Sequence, residues 1–384
     1  MFPRKNLKRF FYKAIRQPVY ASRVFFKRIQ AAFSYLFGNG RSSYPEAITL
    51  FLTHRCNLHC KMCGQWGEGG VTSKQGSKYI NAEFTPNELK AVVDDMASFK
   101  PNITLFGGEP LLYEGCAGLI RYIKQKGMHC LMVTNGFFLE ELAQNIVDSG
   151  LDELNVSLDG GAKLHDQIRG FPGLFDKIMV GLKRVQYFKS QKKKHRPLIN
   201  LQCTVTKYNC EYLEQLPEVA EEAKADSLTF HHLIFVDRES MERQKAYDIL
   251  LGSSSSDWEG FAFEPGIDPE ALYTKIQGIL SVRRRFNVDF YPNLSRKAMI
   301  EYYQDRRYIP SEYHCRCLSP WIAVYIFPDG EVRPCLNANY SFGNIKNMRF
   351  SEIWDNEKAV NFRKILKENK TFPLCARCTE LYRY

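Results

Sequence analysis

Short apolar strands alternate with helical segments from about residue 45 to residue 235, and this alternation constrains the fold more than any other feature. Six segments have the length and apolar content of strands, and helical stretches lie between them. Thr85, Pro86 and Glu88 form a capping-box pattern ahead of a helix through Met96. Such alternation builds a parallel α/β sheet or barrel. The predicted strands are residues 48–53, 103–106, 130–134, 154–159, 199–205 and 228–233.

Polar residues alternate with apolar ones in two of these strands. Asn200, Gln202 and Thr204 lie between apolar positions in residues 199–205, and residues 154–159 alternate in the same way. The interior of a closed barrel is filled by apolar side chains. Polar inward faces therefore favour an open barrel that takes up a polar ligand.

Twelve cysteines form a high count for 384 residues, and their grouping favours metal binding over disulfides. The N-terminus lacks the apolar region and cleavage site of a secretory signal, and the charge-free run at residues 29–40 is too short to span a bilayer. We therefore expect a cytoplasmic protein, in which clustered cysteines bind metal because disulfides are rare there.

The first cysteine group, Cys56-x3-Cys60-x2-Cys63, directly follows the first predicted strand. Three thiolates on one short loop hold three irons of a [4Fe–4S] cluster and leave the fourth iron open. An open iron is what chelation by the amine and carboxylate of an amino acid requires. A structural zinc site wants four ligands, and His54 and His59 are poorly spaced for that role, but zinc stays as the alternative.

This loop resembles that of the radical S-adenosylmethionine (SAM) superfamily, with an apolar residue before the third cysteine. Later segments follow in the family's order over residues 45–235: Gly107-Gly108-Glu109-Pro110 resembles its GGEP motif, and the ends of the third and fourth strands resemble segments that line the SAM site. The resemblance implies that Glu109 accepts a hydrogen bond from the methionyl ammonium, with Ser157 at the ribose. The implied SAM-binding residues are Met62, Gly107, Gly108, Glu109, Asn135, Ser157, Asp159 and Arg169.

A second cysteine group lies near the C-terminus, where residues 327–332 predict a hairpin that brings Cys317 and Cys335 together. The spacing from Cys317 through Gly330 to Cys335 resembles SPASM and twitch domains, and Cys375 and Cys378 complete a set of four. The resemblance implies the shorter twitch form, with a second, fully liganded [4Fe–4S] cluster.

Two alternatives stay open for this second group. Cys315 also satisfies the spacing, although Cys317 is preferred because it directly precedes Leu318-Ser319-Pro320-Trp321. Four sulfurs that include a terminal Cys-x2-Cys also suit zinc.

The predicted fold is α/β: a partial (β/α)6 TIM-like barrel with an N-terminal basic helical extension and a small C-terminal twitch- or SPASM-like domain. Residues 236–312 form a linker region with an extra strand at 286–291 and a helix from residue 296. The predicted boundaries are 1–42 for the extension, 43–235 for the core, 236–312 for the linker and 313–384 for the auxiliary domain.

The resemblance implies an enzyme that reductively cleaves SAM to a 5′-deoxyadenosyl radical, which abstracts hydrogen from a substrate. A one-electron reductant such as flavodoxin or ferredoxin is then required. A fully liganded second cluster favours net oxidation of the substrate. The alternatives are redox-neutral epimerisation or C–C bond formation, with Cys130 as a candidate hydrogen donor, and a non-catalytic zinc scaffold with a basic arm.

The N-terminal segment carries most of the net charge. Residues 1–41 hold ten Lys or Arg and no Asp or Glu, so the remaining chain carries eleven minus ten, or +1. An amphipathic basic helix suggests peripheral binding to an anionic membrane at its inner face. The predicted substrates are a lipid, a lipid-linked sugar or a peptide, and nucleic acid is not expected. The alternative is a helix packed across the barrel bottom.

Overall fold

The computed structural model describes residues 11, 14–305 and 308–384, and one ten-stranded sheet forms its centre. A seventh parallel strand, β7, pairs with β6 and confirms the extra strand predicted in the linker region. All six predicted barrel strands are present as parallel neighbours, in chain order, which confirms the predicted partial barrel. The seven parallel strands are β1 (Ala47–Phe51), β2 (Asn102–Phe106), β3 (Cys130–Thr134), β4 (Glu153–Ser157), β5 (Leu198–Val205), β6 (Ser227–His232) and β7 (Asn287–Tyr291).

The C-terminal segment continues the same sheet beyond β1. Strand β8 (Ala323–Ile326) pairs with β1 in parallel, and β9 (Glu331–Arg333) and β10 (Gly343–Asn344) follow as antiparallel strands. The hairpin predicted between the cysteines is the β8–β9 connection, where Gly330 has a φ of 95° that suits glycine. The sheet order is therefore β10-β9-β8-β1-β2-β3-β4-β5-β6-β7.

Helices connect and cover these strands. The predicted capping box is confirmed, because Thr85 accepts from the backbone N–H of Glu88 and the Glu88 carboxylate accepts from that of Thr85. The helices are α1 (Pro18–Phe37), α2 (Ser77–Ile80), α3 (Pro86–Met96), α4 (Cys116–Gln125), α5 (Leu139–Ser149), α6 (Ala162–Arg169), α7 (Leu174–Gln191), α8 (Leu216–Glu222), α9 (Arg238–Leu251), α10 (Pro269–Ser281), α11 (Arg296–Gln304), α12 (Ser319–Ile322), α13 (Phe350–Trp354) and α14 (Glu357–Asn369).

The inward face of the barrel is polar where the sequence predicts it. On β5, every second residue is fully buried against the helices, and the residues between them are half-buried on the other face. There the Asn200 amide donates to the side-chain oxygen of Asn155 at 2.9 Å and accepts from the Ser227 hydroxyl at 2.8 Å. These hydrogen bonds cross three adjacent strands, so the polar face forms a connected lining.

Helix α1 lies across the N-terminal ends of the barrel strands. Gln17, at its start, donates to Glu153 at 2.9 Å and contacts His129 at 3.0 Å, immediately before β3. Arg28 pairs with Glu46, immediately before β1, at 2.8 Å. One side of the described part of the segment therefore packs across the barrel bottom, as the alternative predicted. Its buried apolar residues are Ala21, Val24, Ala31 and Tyr35.

The remainder of the basic segment, residues 1–10, 12 and 13, lies outside the described residues. Within the described part of the chain, no helix combines the length and the apolar character that crossing a membrane requires.

Candidate functional site

The first cysteine loop follows the C-terminal end of β1 and is held by neighbouring segments. Its Lys61 N–H donates to the carbonyl of Ile168 on α6, at 2.9 Å. The Trp66 indole donates to the carbonyl of His54 at 2.8 Å, and the Trp66 N–H points at the Cys63 sulfur at 3.4 Å. The three thiols thus lie on a loop whose two ends are both anchored.

Burial disfavours the thiolate form of two of the loop cysteines, Cys56 and Cys60. Burial raises the pKa of Cys56 to about 12, and burial likewise raises the pKa of Cys60. Each of these thiols also feels the charge of its neighbours in the loop, which raises the pKa further. A bound metal deprotonates coordinating thiols outright, so this donor set fits an iron–sulfur cluster.

A buried ion pair lies beside this loop. Arg169, at the end of α6, donates to the Asp159 carboxylate at 2.6 Å and reaches the Cys60 sulfur at 3.7 Å. The other Asp159 oxygen accepts from the backbone N–H of Thr204 on β5 at 2.9 Å. Because Asp159 is fully buried and both of its oxygens are engaged, it acts through Arg169, whereas the Arg169 guanidinium lies next to a cysteine of the loop.

The Gly107-Gly108 turn at the end of β2 packs directly against the first cysteine loop. A Cβ atom on Gly107 would lie 2.5 Å from the carbonyl oxygen of Thr53, and one on Gly108 would lie 2.1 Å from that of Arg55. The Gly108 and Glu109 N–H groups donate to these same two carbonyls at 2.9 Å. Glycine is therefore required here for close approach of two backbones, and the turn fixes the loop that carries the cysteines.

Glu109 is almost completely buried, and its carboxylate accepts three hydrogen bonds from the protein. One oxygen accepts from the Thr134 hydroxyl at 2.7 Å and from the Leu111 N–H at 3.1 Å, and the other accepts from the Asn135 N–H at 2.8 Å. Burial nevertheless raises the pKa of Glu109 to about 7. A carboxylate oxygen has two lone pairs, so the second oxygen keeps room for one donor of a cationic ligand.

Asn135 joins the Glu109 segment to the cysteine loop. Its amide donates to the side-chain oxygen of Asn57 at 2.9 Å and lies 4.0 Å from the Cys56 sulfur. The sequence analysis missed Asn57, whose buried amide nitrogen has no partner among the described residues. Its position directly after Cys56 was the one available signal.

Ser157 ends β4, where it is half-buried opposite Gln202, and Met62 packs partly buried against the core.

The second cysteine group is brought together by the C-terminal fold. Cys317 precedes α12, Cys335 follows β9, and Cys375 and Cys378 lie in the final turns. Burial raises the pKa of Cys317 and of Cys335 well above the usual value, and Cys375 and Cys378 raise both further. The charge of Cys317 also raises the pKa of Cys335, so Cys317 lies near the three other members of the set, whereas Cys315 affects the pKa of Cys375.

No three His, Cys, Asp or Glu side chains among the described residues converge closely enough to hold a single metal ion. In an iron–sulfur cluster each cysteine binds a different iron, so the sulfurs need not meet at one point.

The structure contradicts the role of hydrogen donor in the barrel that was considered for Cys130. Cys130 is fully buried and pairs in register with Ile103 of β2, and side chains in register point to the same side of a parallel sheet. That side of the sheet carries the apolar residues that pack against the helices. The charged side chain of Lys124 on α4 and the sulfur of Cys116 lie near Cys130. Cys130 also begins β3, at the end of the barrel opposite the cysteine loop, so it is not placed to donate hydrogen in the barrel.

Comparison with known proteins gives the family. Residues 50–188 match the radical SAM superfamily, and residues 315–379 match an iron–sulfur cluster-binding domain, SPASM. Fe-coproporphyrin III synthase of Methanosarcina barkeri is 29% identical over 353 residues, covering 85% of this chain and 79% of that protein. AdoMet-dependent heme synthase of the same organism is 26% identical over 343 residues, covering 87% of this chain and 88% of that protein.

The fold has a close counterpart among solved structures. The crystal structure of Streptococcus suis SuiB bound to its precursor peptide SuiA aligns with a TM-score of 0.62 at 13% identity, covering 90% of this chain and 73% of that chain. The SAM-binding [4Fe–4S] cluster and the auxiliary iron–sulfur centre follow from the two matched domains. The chain therefore carries a radical SAM domain and a C-terminal SPASM domain.

Proposed function

We propose that this enzyme oxidises its substrate, with the first cysteine set binding the cluster that cleaves SAM and the second set binding a cluster that accepts an electron. Cys56, Cys60 and Cys63 would hold this first cluster, which would supply the electron for splitting SAM into methionine and a 5′-deoxyadenosyl radical, and that radical would remove a hydrogen atom from the substrate. A flavodoxin or ferredoxin supplies that electron. The second cysteine set is the observation that supports oxidation. Its four cysteines would bind all four irons of a cluster, so no iron would be free to bind substrate. They are Cys317, Cys335, Cys375 and Cys378.

The protein's own residues orient and enclose the reacting molecules. Glu109 and Asn135 hold the cationic end of SAM, and Ser157 lies where the ribose is expected. Arg169 lies beside Cys60 and, held by Asp159, offers its guanidinium to the methionyl carboxylate. These assignments rest on the convergence of the ends of β2, β3 and β4 and of α6 on one cysteine loop.

The hairpin that follows β8 lies beside the first cysteine loop, because β8 and β1 are neighbouring strands. Strand β8 pairs with β1 residue by residue, and the rings of Phe51 on β1 and Phe327 after β8 stack with centroids 4.8 Å apart. Parallel strands end at the same edge of a sheet. The loop after β1 and the hairpin after β8 therefore open at the same end of the barrel.

The substrate class that we propose is an iron tetrapyrrole with carboxylate side chains. Support comes from the likeness along most of the chain to two proteins named for iron porphyrin products. The polar lining that includes Asn200, Gln202 and His231 offers hydrogen-bond partners to such a molecule. The lipid, lipid-linked sugar and peptide substrates stay predictions from the sequence, and α1 does not favour a lipid because it lies at the opposite end of the barrel.

Anaerobic turnover with SAM and dithionite tests the proposal, with 5′-deoxyadenosine measured by chromatography. We expect that Cys56→Ala, Cys60→Ala and Cys63→Ala each abolish this product while keeping the iron of the second cluster, because two thiolates do not hold the first. Cys210→Ala is the control, since this half-buried thiol lies outside both sets. Addition of a reduced iron tetrapyrrole with carboxylate side chains should raise 5′-deoxyadenosine formation and yield an oxidised tetrapyrrole. Product formation by any of the three cysteine variants would refute the site assignment.

A further inference from the structure

We infer that α1 attaches this enzyme peripherally to an anionic bilayer through the helix face that does not pack on the barrel. This inference is independent of the proposed SAM chemistry, because α1 lies at the end of the barrel opposite the first cysteine loop.

The face in question, here called the outer face, consists of Val19, Phe26, Phe33, Leu36 and Phe37. Their exposed fractions are 72%, 65%, 62%, 55% and 77%. Positions 19, 26 and 33 are spaced by seven residues and positions 33 and 37 by four, so these four residues lie along one side of the helix, and Leu36, three residues after Phe33, lies at its edge. Ile15, one turn before Val19, is 83% exposed.

Helix α1 is therefore apolar on two opposite sides. The inner side is buried against the barrel, which explains why the helix is there, but it does not explain the outer face. Isolated exposed apolar residues are ordinary, whereas a row of large ones along one helix marks an interaction surface. The rings of Phe33 and Phe37 are 6.0 Å apart and form a continuous part of this surface.

The charge of the segment selects the occupant. Ten Lys or Arg and no acidic residue lie within residues 1–41. Of the described ones, Arg16 and Arg28 pair with carboxylates of the barrel, whereas Arg23 lies in the helix turn between Val19 and Phe26. A helix with an exposed apolar face and basic flanks lies in the plane of an anionic interface. Each cation near such a surface strengthens binding about fivefold. A second copy of the chain would instead bring two equally basic segments together, and their repulsion opposes that pairing.

This attachment fixes which way the barrel opens. Helix α1 contacts the residues just before β1, β3 and β4, whereas the first cysteine loop follows the far end of β1. The five residues of β1 span about 17 Å. The bound enzyme therefore turns its reaction chamber toward water, and both its substrate and its reductant arrive from the aqueous side.

Sedimentation of the full-length holoenzyme with vesicles tests the surface directly. We expect binding to vesicles of phosphatidylcholine and phosphatidylglycerol, much weaker binding to phosphatidylcholine alone, and partial release by salt. Phe26→Ser/Phe33→Ser should weaken binding about tenfold or more, because two apolar anchors are lost. The matched control is Ile249→Ser/Leu250→Ser, which removes side chains of 82% and 58% exposure from α9. Both double variants should cleave SAM at the wild-type rate.

A second measurement reports insertion itself. In Phe33→Trp the new tryptophan should be quenched by lipids brominated on their acyl chains, whereas in Ile249→Trp it should not. Failure of the wild-type enzyme to bind anionic vesicles, or equal binding by the Phe26→Ser/Phe33→Ser variant, would overturn the inference. A concentration-dependent dimer in ultracentrifugation that disappears in that variant would also overturn it, in favour of a second copy.

Discussion

Replacing Asp159 with asparagine tests whether a buried ion pair holds the first cysteine loop. The substitution keeps the shape of the side chain and removes its charge, which leaves the Arg169 guanidinium, 12% exposed, without its 2.6 Å partner. Breaking a buried pair from one side costs about 3–5 kcal/mol, because the remaining charge stays desolvated. The loss also frees Arg169 from its position 3.7 Å from the Cys60 sulfur.

We expect Asp159→Asn to lower the melting temperature by about 4–6 °C, at about 1.2 °C for each kcal/mol in a chain of this length. The control is Glu222→Gln, which breaks the exposed Lys183–Glu222 pair at 3.0 Å. Such surface pairs contribute about 1 kcal/mol or less, so its melting temperature should fall by about 2 °C at most. Melting is followed anaerobically by circular dichroism, together with iron content and 5′-deoxyadenosine formation, because cluster loss makes a free energy of unfolding ill-defined.

A second substitution separates structural loss from functional loss. Adding Arg169→Met to Asp159→Asn removes the unpaired charge, so part of the lost thermal stability should return. SAM cleavage should not return, because the guanidinium beside Cys60 is then absent. If Asp159→Asn melts like Glu222→Gln and cleaves SAM at the wild-type rate, the ion pair does not position the loop and the reasoning is wrong.

Three other predictions follow from single contacts. Cys317→Ala should lose the iron of the second cluster and Cys315→Ala should keep it, as measured by iron content and electron paramagnetic resonance; the reverse result would exchange their roles. Glu109 has a pKa raised to about 7, so its carboxyl is neutral at lower pH and SAM affinity should fall about tenfold from about pH 8 to about pH 6. Glu109→Gln should bind SAM weakly with no such dependence, and a parallel slope would assign the titration elsewhere. Arg28→Ala leaves Glu46 buried without its ion-pair partner and should lower the melting temperature by several degrees. Arg23→Ala should leave the melting temperature unchanged within about 1 °C. Equal effects of the two substitutions would mean that this pair does not hold α1 on the barrel.

The strands and the first cysteine loop could be predicted because their signals are local. The alternation of strands with helices and the capping box at Thr85 can each be recognised from a few neighbouring residues. The strands occur in the structure in the predicted order. Chelation by three cysteines likewise depends on spacing along one loop. The polar face of β5 was predicted from a period of two, which the pleat of any strand imposes.

The prediction for Cys130 failed because a short apolar strand does not reveal which of its faces points inward. Cys130 and Leu131 are both apolar, so the alternation that marks β5 is absent from β3. Pairing decides the question: Cys130 lies opposite Ile103, whose side chain is buried among the helices. A thiol at this place is a small apolar core residue.

The contacts around Arg169 were beyond sequence reasoning because they join distant segments. Asp159 and Arg169 are separated by α6, and Cys60 and Thr204 come from two other parts of the chain. Each residue alone resembles a turn or a helix end. Only the convergence of the barrel strands places them within hydrogen-bonding distance and converts a helix-terminal arginine into a neighbour of the cysteine loop.

The placement of β8 changes how the auxiliary domain relates to the barrel. The sequence suggests a separate C-terminal region, yet β1 hydrogen-bonds to β2 on one side and to β8 on the other. The Phe51 ring at the end of β1 contacts Phe106 of β2 at 5.0 Å and Phe327 at 4.8 Å, so one side chain packs against both halves. Because the first cysteine loop begins where β1 ends, a shift of β8 displaces the same strand that carries the SAM-binding cysteines. The two cysteine sets are thus positioned by one shared strand, and not by a flexible linker between independent domains.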